Sequence, residues 1–508
     1  MIADVSTLNG VIEAVGPEAA AGQIIDISGL AVCPGFIDVH AHSEFALLAR
    51  PEAAGGKLIQ GITTEISGNC GLSAAPLLGA ALSQREADLN AYGIKERWEN
   101  FAQYFGLLEA RELGLNFATL AGHGNIRASV VGYEDRAPSD AELDRMCDLL
   151  AGALRDGAIG LSTGLIYPPG IYSTTEELIE LASTGAAEYG EFIYTTHMRS
   201  EGRKLLESIA ETLRIGREAM VRVHISHIKT ADKPNWHKID SAIRILDDAR
   251  EEGLTVTADR YPYTASSTDL DAALPNWAFV GGNVEELKRL RDPATRGRIM
   301  AEVEAMNRDW SAAVVASVER DESRWMEGMS VADIAAKMGV SPVEAFLSVL
   351  DGESLRVGAI FHSMSEENML RFLALPYVMI GTDSTARPLS GKGKPHPRGF
   401  GSFPRYLGRY ASGNLAAAIY KCTMLPAQTF GLSGRGRIAT GHWADLVVFD
   451  PKEIMDTAQF DAPYQAPRGI HHVFVNGVAA VRDGQLTGEL GGAVLRNGGH
   501  APTEPQAD

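Results

Sequence analysis

Asp38, His40 and His42 alternate in PGFIDVHAH (34–42), and the side-chain period of two in a β-strand puts all three on one face. Two imidazoles at that spacing can hold one metal ion from one side, although the same pair also serves as a hydrogen-bonded structural pair. Four further residues end short apolar runs: Cys70 in GNCG, His197 in FIYTTH, His227 in VRVHISH and Asp383 in YVMIGTD. Each taken singly has a plain reading, as an inert buried thiol, a capped core histidine or a helix N-cap after Thr382. Together they place N, S and O ligands at five run ends. A thiolate with two imidazoles suits a borderline-soft ion with an open fourth position, Zn²⁺ rather than Mg²⁺ or Ca²⁺. His40, His42 and Asp383 would form a second, harder and weaker position.

Such residues meet only if the strands carrying them share a rim. Nine β-branched runs recur at 36–42, 63–69, 116–123, 158–163, 192–197, 221–227, 254–263, 357–362 and 377–383. Patterned helices lie between most of them, among them 139–157 and 236–253, each ending on a glycine. This alternation predicts a (β/α)8 TIM-like barrel over 34–265 plus 351–435, whose strand C-termini gather the active site. Eight strands close such a barrel, so one run lies outside, and VGAIFH (357–362) is the choice. Residues 266–350 break the rhythm and read as a helical insertion or cap, with Ser341 as N-cap and Pro342 at N1 of its last helix. Both chain ends carry short strands around turns, predicting one small β-domain from 1–33 plus 436–490. Residues 491–508 read as a disordered tail.

The 508 residues carry a formal charge of -19, which repels phosphate backbones and anionic lipid and makes nucleic acid and membrane poor partners. Four scattered cysteines are too few for a disulfide framework, and no signal-peptide or membrane-spanning pattern occurs, so a cytoplasmic setting is expected.

The segments PGFIDVHAH, GITTEISGNCG, AGHGNIR, GAIGLSTGLIYPPGIYSTTEELIELA, YTTHMRSEG, DRYPYTASST and PHPRGFGSFPRYLGRY resemble the amidohydrolase superfamily, and within it the D-aminoacylase (N-acyl-D-amino-acid deacylase) family. The resemblance implies tight Zn²⁺ binding by Cys70, His197 and His227, and a second metal position at His40, His42 and Asp383, often empty or partly filled. It assigns Asp383 as catalytic acid/base and Lys229, Tyr261 and Arg398 as the grip on the substrate's α-carboxylate. Two departures stand out. Ser43-Glu44 follows the second histidine where relatives often have an acid at once. The stretch 269–279, which in the family helps shape the side-chain pocket, has no Lys or Arg.

The implied reaction is hydrolysis of a linear amide to a carboxylic acid and a free D-amino acid. Leu270, Ala272, Ala273, Leu274 and Trp277 point to a neutral or apolar substrate side chain, unless Asp269 and Asp271 turn inward and favour a basic one. A cyclic-amide hydrolase of the dihydroorotase or hydantoinase kind is the alternative. It expects a carboxylated lysine at the fourth strand's end, where AIGLSTG has none. A non-catalytic scaffold would tolerate a lost ligand, and none is missing.

Overall fold

The computed structural model describes residues 3–16, 22–411 and 413–498. Eight parallel strands form the barrel: β1 (Phe36–Asp38), β2 (Ile62–Ser67), β3 (Asn116–Thr119, resuming at Ala121–Gly122), β4 (Leu161–Gly164), β5 (Ile193–His197), β6 (Arg222–Ile225), β7 (Val256–Arg260) and β8 (Val378–Ile380). They pair in sequence order from β1 to β8. The ring closes where Ala41 bridges Ser384 and the Asp383 amide donates to the His40 carbonyl at 2.8 Å. Ile37, Val39, Ile66, Ala118, Leu120, Ile159, Ile193 and Met379 fill one core with Phe430 and Leu432, while a larger core joins the other strand faces to the surrounding helices. A helix around a barrel needs one apolar stripe. Asp140–Asp156 shows how the sequence sets its ends: Ser139 and Glu142 form a reciprocal capping box, and Gly157 at φ 123° closes it.

Strands from both ends build a five-stranded antiparallel sheet, with Ala31–Pro34 beside Leu446–Phe449, followed by Ile470–Val475, Val478–Arg482 and Gln485–Leu486. The hairpin of Asp4–Leu8 and Val11–Gly16 touches it through a Val11–Trp443 bridge.

Two expectations are corrected. The insertion is not purely helical: Ser266–Asp269, Ala313–Val318 and Val357–Phe361 form a three-stranded antiparallel sheet. Its helices, including Pro342–Gly352 capped by Ser341, pack on that sheet around a separate core. VGAIF thus lies outside the barrel and inside the insertion, past residue 350, because its partners on both sides belong to the insertion. The tail is ordered from 491 to 498, where Gly492 and Val494 bridge Leu113 and Phe117 and Arg496 pairs with Glu109 at 2.7 Å. Main-chain hydrogen bonds to the start of β3 hold it. Residues 499–508 lie outside the described residues. Among the described residues no helix is long and apolar enough to cross a membrane.

Candidate active site

The strand ends converge at one rim, and the backbone there departs from strand geometry. Cys70 has φ 54°, His227 φ 36° and Asp383 φ 50°. Non-glycine residues in the left-handed region cost on the order of 1–3 kcal/mol each and persist only where surroundings over-determine them. Here they turn three side chains off the ends of β2, β6 and β8 toward one point. His197 ends β5 itself.

All six expected ligands meet. The Cys70 sulfur lies 3.7 Å from His197 Nδ1, 3.6 Å from His227 Nε2 and 3.3 Å from His40 Nε2. A tetrahedral Zn²⁺ with bonds of about 2.3 Å to sulfur and about 2.05 Å to nitrogen sets those donors about 3.6 Å apart. Cys70 stands at about that separation from both His197 and His227, and the groups whose donors all lie within 4.8 Å of one another are His40–Cys70–His227, His40–His42–Asp383 and His197–Glu201–His227. Asp383 Oδ1 lies 3.5 Å from His40 Nε2 and 3.3 Å from His42 Nε2, against about 3.4 Å for nitrogen and oxygen on one such ion. A thiolate with imidazoles on either side has the chemistry a zinc ion takes, and His40, His42 and Asp383 offer a second triad, with His40 close to both. Burial disfavours the Cys70 thiolate, yet the His40 charge and hydrogen bonds from His197, His227 and His40 outweigh it and hold the thiol well below its usual range. A thiolate is the form that binds metal.

Asp38 is the exception among the alternating residues. β1 ends at Asp38, so the period of two does not carry through to His42. Its carboxylate instead accepts from Lys57 Nζ at 2.5 Å and from the Thr382 amide and hydroxyl at 2.8 and 2.6 Å. Lys57, wholly buried, also donates to the Ser384 carbonyl at 2.9 Å. The departure at Ser43-Glu44 is also internal: Ser43 donates to Glu65, and the Glu44 carboxylate accepts from the Gly68 amide ahead of Cys70.

The three residues expected to hold a carboxylate gather around the Tyr261 ring, with the Arg398 guanidinium 4.6 Å and Lys229 Nζ 5.9 Å from its centroid. The Tyr261 hydroxyl is buried without a hydrogen-bond partner. Arg398 Nη1 lies 2.8 Å from Asp383 Oδ2, a close ion pair not aligned as a hydrogen bond, while its Nη2 donates to the Ser267 carbonyl. Burial opposes ionisation of Asp383, but Arg398, His40, His227 and the His42 hydrogen bond prevail and keep its carboxyl well below the usual range.

Sequence reasoning missed several partners. Asp259 accepts from His40 Nδ1 at 3.1 Å, His224 Nε2 at 2.9 Å and the His227 amide at 3.0 Å. Glu201 contacts both His227 and Lys229. Tyr167 sets its ring edge-on to His197 at 5.1 Å and shares a 3.1 Å hydrogen bond with Thr268. Asp259 begins the DRYPYTASST segment and Glu201 lies four residues past His197, but neither spacing distinguishes a buried partner from a solvated acid.

The expected side-chain pocket is also corrected. Leu270, Ala273 and Leu274 sit in the insertion's own core, and Trp277 packs against it. Outward from Thr268 stand Asp269 and Asp271. Asp269 is exposed and Asp271 half-buried; partial desolvation raises Asp271, helped by Asp269, and raises Asp269, helped by Asp88, with Arg85 and Arg356 opposing. Both arginines are themselves paired with Asp88.

A sequence profile of the amidohydrolase family matches residues 23–481. A D-aminoacylase of Alcaligenes xylosoxydans xylosoxydans is 38% identical over 97% of this chain and 93% of its own. An N-acyl-D-glutamate deacylase of the same organism is 36% identical over 94% and 89%. In structure, the N-acyl-D-glutamate deacylase of Bordetella bronchiseptica, complexed with zinc and a phosphonate that mimics the tetrahedral intermediate, superposes with a TM-score of 0.82 at 33% identity, covering 97% of this chain and 95% of that one.

Proposed function

The chain belongs to the amidohydrolase family, and on that premise we propose that it is a zinc-dependent deacylase cleaving the linear amide of N-acyl-D-amino acids. The observation that carries this reading is Cys70 within 3.7 Å of a donor nitrogen of both His197 and His227, with Asp383 beside the site and Arg398 and Lys229 against the Tyr261 ring. Cys70, His197 and His227 would hold a Zn²⁺ that would supply Lewis acidity to the scissile carbonyl and lower the pKa of a water toward about 7. Asp383 accepts the proton of the attacking water and returns it to the amine nitrogen as the tetrahedral intermediate collapses, the two transfers one carboxylate can serve. Its ionised state, secured by Arg398, is the form the first transfer needs. Arg398 and Lys229 orient the α-carboxylate by charge, local enough to override a net charge of -19 within a Debye length of about 8–10 Å. His40, His42 and Asp383 form the second, weaker metal position.

The alternative of a cyclic-amide hydrolase is disfavoured because β4, Leu161–Gly164, carries no lysine, and the Cys70 thiol instead stands beside His40, His197 and His227. Residues 269–279 bring no lysine or arginine to the site, so a second substrate carboxylate finds no cation there and the side chain is neutral rather than acidic. Four free cysteines, one of them the metal-facing thiolate, suit a reducing cytoplasm. The test is release of primary amine from a panel of N-acetyl-D- and L-amino acids, with zinc analysis of the same protein. Turnover of D-derivatives with neutral side chains by about 10²-fold in kcat/KM over N-acetyl-D-Glu and N-acetyl-D-Asp is expected. Preference for a hydantoin or dihydroorotate over every linear amide overturns the reading.

A further inference from the structure

One carboxylate touches both halves of the site. Glu201, in the loop after β5, places Oε1 2.8 Å from His227 Nδ1 and in direct contact with Lys229 Nζ, and its Oε2 lies 3.8 Å from His197 Nε2. Lys229 Nζ also lies 2.8 Å from the same His227 Nδ1. The three groups cannot all be satisfied at once in the metal-binding form. An imidazole that offers Nε2 to a metal carries its hydrogen on Nδ1 and needs an acceptor there. Lys229 has three donors and no acceptor, whereas a carboxylate accepts only. Among the described residues Glu201 is the group placed to take that hydrogen, and with Nδ1 so engaged Lys229 keeps Glu201 as its partner and loses His227.

We propose that Glu201 is a positioning residue that couples the metal centre to the carboxylate grip, fixing His227 for the metal and directing Lys229 away from the imidazole toward the substrate. The carboxylate half rests on the deacylase reading; the metal half does not. An acceptor that orients a ligating histidine in this way is typically worth about 10- to 100-fold in metal affinity. Coupling between the two sites means that disturbing Glu201 shifts both readouts together.

The experiment uses the full chain with Glu201→Gln, which keeps size but removes the charge, and Glu201→Asp, which keeps the charge one methylene short. Zinc affinity is measured by competition with a chromophoric chelator. Specificity is read as the kcat/KM ratio between an N-acetyl-D-amino acid and its α-carboxamide counterpart, which lacks the carboxylate. In Glu201→Gln zinc affinity is expected to fall about 10- to 100-fold and the carboxylate-to-carboxamide ratio about 10-fold or more, with Glu201→Asp recovering part of both. Zinc affinity within threefold of the parent overturns the proposal. A weakened zinc site with an unchanged ratio overturns the coupling and leaves Glu201 serving the metal alone. If Glu201→Gln does not fold, Glu201→Asp is held to the same two criteria. A parent enzyme that deacylates no D-substrate sinks the deacylase reading, while the chelator measurement still decides whether Glu201 positions His227.

Discussion

Replacing Asp383 with Asn separates its chemistry from its structural charge. Asn tolerates φ 50° as readily as Asp, so the backbone turn after β8 survives. Asn cannot carry a proton between water and amine, and general acid–base catalysis is worth about 10²- to 10⁴-fold in rate. The same change leaves the Arg398 guanidinium, 4% exposed, without its anionic partner and with only neutral oxygens such as the Ser267 carbonyl beside it. Leaving one member of a buried pair uncompensated costs about 3–5 kcal/mol. At about 2.1 cal/mol/K of unfolding entropy per residue, a chain of this length has roughly 1.1 kcal/mol/K, so the loss corresponds to about 3–5 °C in the Tm of the metal-free protein. Adding Arg398→Met removes the stranded charge, and the double variant should regain most of that Tm while remaining inactive. Zinc content should stay at the parent level in both variants, since Cys70, His197 and His227 are intact. Differential scanning fluorimetry with and without chelator, zinc analysis and amine release measure all three. A kcat within tenfold of the parent refutes the acid–base assignment; a Tm loss that Arg398→Met fails to relieve refutes the ion-pair account.

Cys70→Ser exchanges a thiolate for a neutral hydroxyl, so zinc per chain after dialysis should drop below half of the parent's; retention of full zinc would take Cys70 out of the site. Lys57→Met leaves Asp38 and Glu65 without their buried cation and should lower Tm by about 3–5 °C, from the same 3–5 kcal/mol; an unchanged Tm would show that the pair is dispensable. Lys421 is held down to about 8 by burial, against about 10.4 in an unfolded chain. Between those values the unfolded state binds more protons, so its destabilising effect is fully present below pH 8 and fades as pH rises toward 10. Lys421→Met should therefore be the more stable protein at pH 7, by about 1–3 kcal/mol, and lose that advantage by pH 10; denaturant titrations at the two pH values would contradict this if the difference were constant.

That Cys70, His197, His227, His40, His42 and Asp383 meet at one rim was legible in the sequence because a strand–helix repeat has a fixed polarity. In a parallel barrel every strand's C-terminus faces one rim, so His, Cys and Asp types at run ends must approach one another whatever the loops do. The two-ended β-sheet was legible for a similar reason, since terminal apolar strands need each other's faces. Tertiary structure alone decided the rest. Asp38 left the metal face because its strand ended, and Lys57, nineteen positions on, reached it from a helix. Leu270, Ala273 and Leu274 read as pocket lining until Val357–Phe361 and the insertion helices gave them a core of their own. The tail read as disordered by composition and was ordered by backbone hydrogen bonds, which composition does not encode. Glu201 and Asp259 are acids next to polar neighbours, indistinguishable in sequence from solvated ones. What makes them partners of His227 and His40 is desolvation and direction, which arise only when strands distant in the chain stand side by side.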